Sequence, residues 1–218
     1  LHPEEPFGNA MADLFRTEAK NMGVSITVTR SYPPSDHATW GSIVGDLAKG
    51  AAGEAVFIPG DWAHAEMIVP YMLYYSNSRR LLMGPALWGE ALTRRSFVSE
   101  DDFRLSVFPG TWWPDNPSPA TIALHDRLES EGLGAPDFWT AMGYDFVRFA
   151  VRLGEIDQGT SPAQVNTRIM DAQTMAWAMA PMVWDSTGKG RQDLFILRPA
   201  EGGFTAADLN ELRSRLGR

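Results

Sequence analysis

Ala55-Val56-Phe57-Ile58-Pro59-Gly60-Asp61-Trp62 is the stretch that decides the fold. Its first four residues are apolar, and Gly53 and Pro59-Gly60 bound them, so they read as a short buried strand. Asp61 follows as an N-cap, because its carboxylate can accept from the free amides of a first helical turn. The run from Asp61 to Tyr74 is then a helix. Strand, tight loop and helix in succession form half of a βαβ unit.

The same alternation extends outward. Upstream, Thr39 to Lys49 reads as a helix and Tyr32-Pro33-Pro34-Ser35-Asp36 as a loop. Val24-Ser25-Ile26-Thr27-Val28-Thr29 alternates with period two and is β-branched, which predicts a strand. Phe7 to Met22 carries Met11, Leu14, Phe15 and Met22 at helical spacing, with Pro6 before it and Gly23 after it. Downstream, Arg80–Met83, Phe103–Phe108 and Leu194–Leu197 read as strands. Thr121–Glu131 and Ala141–Leu153 read as helices. Ser161-Pro162 opens another with Ser at N-cap and Pro at N1. Ala206–Leu216 closes the sequence as an amphipathic helix with Leu209, Leu212 and Leu216 on one face. Helix and strand in alternation imply a three-layer α/β fold with a mostly parallel sheet. Such a lobe normally begins with a strand, yet only Leu1-His2 could be the tail of one before Phe7. The sheet is therefore expected to lack a strand there.

At 218 residues the chain can form one large or two small domains. With 44% hydrophobic and 21% charged residues it has the composition of a soluble globular protein. The net charge of −8 argues against nucleic acid or anionic lipid as a partner. No run approaches the ~18 apolar residues of a membrane span. The absence of cysteine excludes disulfides, a thiolate nucleophile and Cys-ligated zinc.

Catalytic and metal motifs are weak. His2, His37, His64 and His125 are scattered. Asp61-x-x-His64-x-Glu66 could offer ligands from one helical turn, but no second cluster stands near it in sequence. The bland reading, solvent-facing residues of a first turn, is favoured. There is no Gly-x-Ser-x-Gly elbow and no Walker-type loop. Gly188-Lys189-Gly190-Arg191 lacks phosphate-loop spacing and reads as a turn between strands. No enzyme activity, metal or cofactor is expected.

Eight tryptophans are many for this length. Trp62 and Trp88 each follow a predicted strand, and Trp112-Trp113 lie in a Pro/Gly-rich stretch after another. Strand carboxyl ends line the ligand crevice of open parallel sheets, and an indole there offers a flat face and one N–H donor. Each ring can instead pack a loop onto the sheet edge.

Five short motifs occur in a fixed order: Pro6-Phe7-Gly8, the Ala55–Trp62 stretch, Leu82-Met83-Gly84-Pro85, Gly143-Tyr144-Asp145 and Trp184-Asp185-Ser186-Thr187-Gly188. This order resembles the C-terminal two-thirds of a type 1 periplasmic binding protein of the branched-chain amino-acid receptor kind. Proteins known as penicillin-binding-protein activators carry a related domain, and Ala63-His64-Ala65-Glu66-Met67-Ile68-Val69-Pro70 looks more like their pattern. The resemblance implies an incomplete type 1 fold whose first lobe is largely missing. Residues 1–110 with 184–204 would form the second lobe, 115–180 a partial first lobe and 205–218 a C-terminal helix. It also implies a periplasmic or cell-envelope module that binds a small molecule between two lobes and serves an ABC-type membrane permease. The alternative is a regulatory scaffold that contacts a cell-wall synthase.

Laid on the receptor pattern, Phe7 stands where Tyr is common before Gly8. Trp62 stands where a ligand-contacting Tyr falls, and Ala86 where a Glu pairs with the ligand ammonium. Burying an ammonium without that partner costs several kcal/mol, so a free amino acid held through its ammonium is not the expected ligand. Phe7, Gly8, Asp61, Trp62 and Trp88 are expected to line one depression at the carboxyl edge of the sheet.

Overall fold

The computed structural model describes residues 1–50, 53–76, 80–93 and 98–217. The chain divides into two compact units, Leu1–Pro109 with Ile196–Arg218, and Gly110–Phe195. The resemblance assigns 184–204 to the first of these. The compact units put 184–195 with the second, because a hairpin closes there.

The first unit is a mixed α/β body with a mostly parallel sheet. Its chain runs β1 (His2–Pro3), α1 (Pro6–Asn21), β2 (Ser31–Tyr32), α2 (Trp40–Gly50), β3 (Ala55–Phe57), α3 (Trp62–Tyr75), β4 (Leu81–Met83), α4 (Leu87–Leu92), α5 (Glu100–Phe103) and β5 (Ser106–Gly110). Strands β3, β4 and β5 are parallel neighbours, with Val56 beside Leu82 and Leu82 beside Ser106. A separate parallel pair joins β1 to β2, with His2 opposite Ser31 and Pro3 opposite Tyr32. The amino group of Leu1 donates to Phe57 O at 3.0 Å, which brings β1 to the outer edge of β3. Helices α2 and α3 pack together; Gly41 and Gly45 lie against the rings of Tyr71 and Tyr75.

Two sequence expectations fail in this unit. Val24–Thr29 belongs to no strand, and pairing begins only at Ser31. A period-two, β-branched run makes a ladder only where a neighbouring strand meets it. Phe103 ends the short helix α5 and does not open a strand; β5 starts at Ser106. The expected missing strand before Phe7 is present as a two-residue stub, β1.

The second unit holds α6 (Pro119–Ser130), α7 (Phe138–Leu153), α8 (Pro162–Ala172) and an antiparallel hairpin of β6 (Met182–Trp184) and β7 (Gly190–Gln192). Ser118, Asp137 and Ser161 cap the three helices by accepting from Ala120, Thr140 and Gln164 amides. The Trp184–Gly188 motif is the start of the hairpin turn. Asp185 accepts there from the Thr187 and Lys189 amides. The chain then returns to the first unit through β8 (Phe195–Ala200), β9 (Gly203–Ala206) and α9 (Leu209–Leu216). These strands complete a five-stranded sheet in the order β3-β4-β5-β8-β9, with β8 and β9 antiparallel.

Candidate functional site

Parallel strands deliver their following loops to one edge. At this edge the loops after β1, β3 and β4 lead into α1, α3 and α4.

After β1, Glu4 is held by two contacts: its amide donates to Tyr32 O, and its carboxylate accepts from Ser31 Oγ at 2.8 Å. Pro6 then starts α1 with no side-chain cap from Glu5. Gly8 is buried, and a Cβ there would lie 2.4 Å from Pro3 O. The glycine lets α1 fold back against β1. Phe7 beside it is 42% exposed.

After β3, Asp61 caps α3 by accepting from His64 N at 2.9 Å. The α3 amino end is therefore met by its own carboxylate, whereas α1 begins without one. Helix amino ends favour acceptor groups through free N–H donors and the axial dipole. Of the two, α1 is the one left open.

Tyr32 and His64 form the polar centre of this edge. The Tyr32 hydroxyl lies 3.1 Å from His64 Nδ1 and donates to it when the ring proton is on Nε2. Trp40 meets both rings edge-on at 4.9 and 5.0 Å, and its indole donates to Pro33 O. Burial pushes the Tyr32 phenol well above its ordinary value, and the charges of Asp61 and Glu5 push it further, so the phenol stays protonated. Gly60 faces this group, and a Cβ there would stand 2.7 Å from the Tyr32 hydroxyl. His64 is half-buried among rings rather than solvent-facing. No cluster of three or more metal-ligating side chains occurs among the described residues.

Of the five residues expected to line a depression, Trp62 and Trp88 come together as buried rings. They are 1% and 0% exposed and meet edge-on at 5.4 Å. Trp62 also lies against Phe103 at 4.5 Å, and Trp88 against Phe108. The Trp88 indole donates to Gly60 O at 3.1 Å, tying the β3 loop to α4. Gly84 makes room for that ring; a Cβ there would overlap it at 2.2 Å. Packing of loops onto the sheet edge, the alternative reading of these tryptophans, describes both rings as they stand. One donor stays unused: Trp62 Nε1 is buried and has no hydrogen-bond partner among the described residues. Phe7, Asp61 and Ala86 are the exposed members of the edge. Trp112 and Trp113 belong to the other unit.

Sequence reasoning missed the Tyr32–His64–Trp40 cluster. Tyr32 and His64 are thirty-two positions apart, and only the parallel order of β1, β2 and β3 brings them together. Tyr144-Asp145, singled out by order alone, has a structural role in α7. Asp145 accepts from the Ala178 and Met179 amides at 3.0 and 2.8 Å and lies 3.4 Å from Arg148. Burial raises its carboxyl above the usual range, against the pull of those donors.

No protein-family model matches the chain, and no curated protein sequence matches it. Solved structures do. An ABC transporter substrate-binding protein from Desulfitobacterium hafniense superposes with a TM-score of 0.68 at 16% identity, over 94% of this chain and 58% of its own. A branched-chain amino acid ABC transporter protein from Rhodospirillum rubrum gives 0.69 at 15% identity, over 94% and 59%. The isoleucine complex of a branched-chain amino acid transporter substrate-binding protein from Streptococcus pneumoniae gives 0.59 at 15%, over 94% and 56%. The chain thus spans under two-thirds of the length of these structures, and none of the three is a regulatory scaffold. Its fold is that of the type 1 periplasmic binding proteins.

Proposed function

We propose that the chain is part of an extracytoplasmic, non-enzymatic solute receptor. It would bind a small molecule at the carboxyl edge of β1, β3 and β4 and serve an ABC-type permease. The observation that carries this reading is the uncapped first turn of α1 beside exposed Phe7 at this edge. Free helix N–H donors and the axial dipole favour an acceptor group, so a ligand acceptor suits this place. The names of the superposable structures support the same class.

The expected ligand has an acceptor group, such as a carboxylate, for the α1 amino end and an apolar body for Phe7. It does not rely on a buried ammonium, since Ala86 offers no carboxylate. A thermal-shift screen of small carboxylates and amino acids against the purified protein tests the reading. Ligand binding raises the melting temperature by mass action. Phe7→Ala should weaken binding roughly tenfold through lost apolar burial. A screen in which no small molecule shifts the transition, while a cell-wall synthase is captured, would instead favour the regulatory scaffold.

A further inference from the structure

Two oxygens compete for one ring nitrogen at the ligand edge. His64 Nδ1 lies 3.1 Å from the Tyr32 hydroxyl and 3.8 Å from Asp61 Oδ1. The His64 side chain is only 16% exposed, held edge-on against Tyr32 and Trp40 at 5.5 and 5.0 Å. The two oxygens call for opposite protonation states. Burial keeps the Tyr32 proton on its phenol, and the charges of Asp61 and Glu5 add to that. The phenol therefore donates to a bare Nδ1, which is the neutral ring with its proton on Nε2. The Asp61 carboxylate only accepts, so it is served by a protonated Nδ1. Imidazole is the side chain that passes between these states from about pH 8 to about pH 5. Asp61 Oδ1 already accepts from the His64 amide at 2.9 Å. Ring and cap thus share one carboxylate, and closing the remaining gap to a hydrogen bond takes a shift of about 1 Å.

The charge bears on the ligand. A carboxylate at the uncapped amino end of α1 meets Glu5, which precedes that helix. Glu5 and Asp61 both act on Tyr32, so their fields reach the same edge and oppose an anion there. An imidazolium on His64 offsets one of these charges and adds to the positive end of the helix dipole. Glu4, beside Glu5, has its carboxylate on Ser31 Oγ. A second imidazole also faces the cluster: His37, in the turn His37–Thr39 before α2, meets Trp40 at 4.5 Å.

We propose that His64 is a proton switch on the ligand edge: taking a proton from solvent in mild acid, it exchanges the Tyr32 donor for the Asp61 acceptor and strengthens binding of an acidic ligand. The switch rests on the receptor reading, because that edge is where it acts. Tyr32 fixes the neutral tautomer, Asp61 receives the charged ring, and His64 reports the proton concentration to the α1 amino end.

The test combines ring-nitrogen NMR of His64 without ligand and calorimetric titration with 4-methylpentanoate at pH 8 and pH 6, where an aliphatic carboxylate stays ionised. At pH 8 the ring should carry its proton on Nε2, and Tyr32→Phe should mix the two neutral tautomers. The wild-type protein should bind 4-methylpentanoate at least about threefold tighter at pH 6 than at pH 8. His64→Gln should lose that ratio, and His37→Gln should keep it. A neutral ring protonated on Nδ1, equal affinity at the two pH values, or an undiminished ratio in His64→Gln would each overturn the switch and leave the receptor reading standing. No binding at either pH, with the Nε2 tautomer in place, would overturn the receptor reading and the switch with it.

Discussion

The two units keep their order by different physics. The first buries Trp40, Trp62, Trp88, Phe108 and Ile58 almost completely around its sheet. Among the described residues the second has no parallel sheet for its helices to cover. Its longest helix, α7, leaves Trp139, Phe146 and Val151 66%, 70% and 75% exposed. Beside a small apolar cluster of Leu124, Met175, Trp177 and the stacked rings of Phe149 and Trp184, it has a set of polar pins on one stretch of backbone. Ser118 donates to Trp177 O, Thr121 and Asn116 donate to Ala178 O, and Asp145 accepts from the Ala178 and Met179 amides. An apolar helix face needs a facing layer before it stabilises anything.

The largest expected effect lies in the sheet unit. Trp88→Ala removes a fully buried ring and its bond to Gly60 O, and should cost about 3–5 kcal/mol in denaturant unfolding. A loss below 1 kcal/mol would mean that the tryptophan cluster is not the core of that unit. Next comes the polar unit. Asp145→Ala strips two buried amides of their acceptor and should cost about 2–3 kcal/mol. Amide exchange at Ala178 and Met179 should rise while the β3–β5 amides stay protected. Equal loosening of both units would break the contrast between them.

The smallest effect belongs to α7. Trp139→Ser and Phe146→Ser should change stability by no more than about 0.5 kcal/mol while lowering binding of a hydrophobic dye. A loss above 1 kcal/mol would show that the face is covered.

Local physics made most of the fold legible. Asp61 and Ser161 each mark a helix start by a chemistry that acts within three residues, and the alternation of periods implied the α/β class. Val24–Thr29 depended on a distant partner and was misread: it has strand composition but joins no ladder among the described residues. The turn read at Gly188–Arg191 closes a local hairpin. At the site, Asp61 was readable as a cap. The fate of Trp62 and Trp88 was not, because the same indole can face a ligand or a neighbouring ring, and only tertiary packing chooses. The Tyr32–His64 contact had no sequence signal at all.

The most direct measurement is a calorimetric titration of the protein with leucine and with 4-methylpentanoate, the same apolar carboxylate without the ammonium. The account predicts that the carboxylate binds at least as tightly as the amino acid, and that Phe7→Ala weakens it. Tight binding of leucine with none of 4-methylpentanoate would contradict an edge built around the α1 amino end and Ala86.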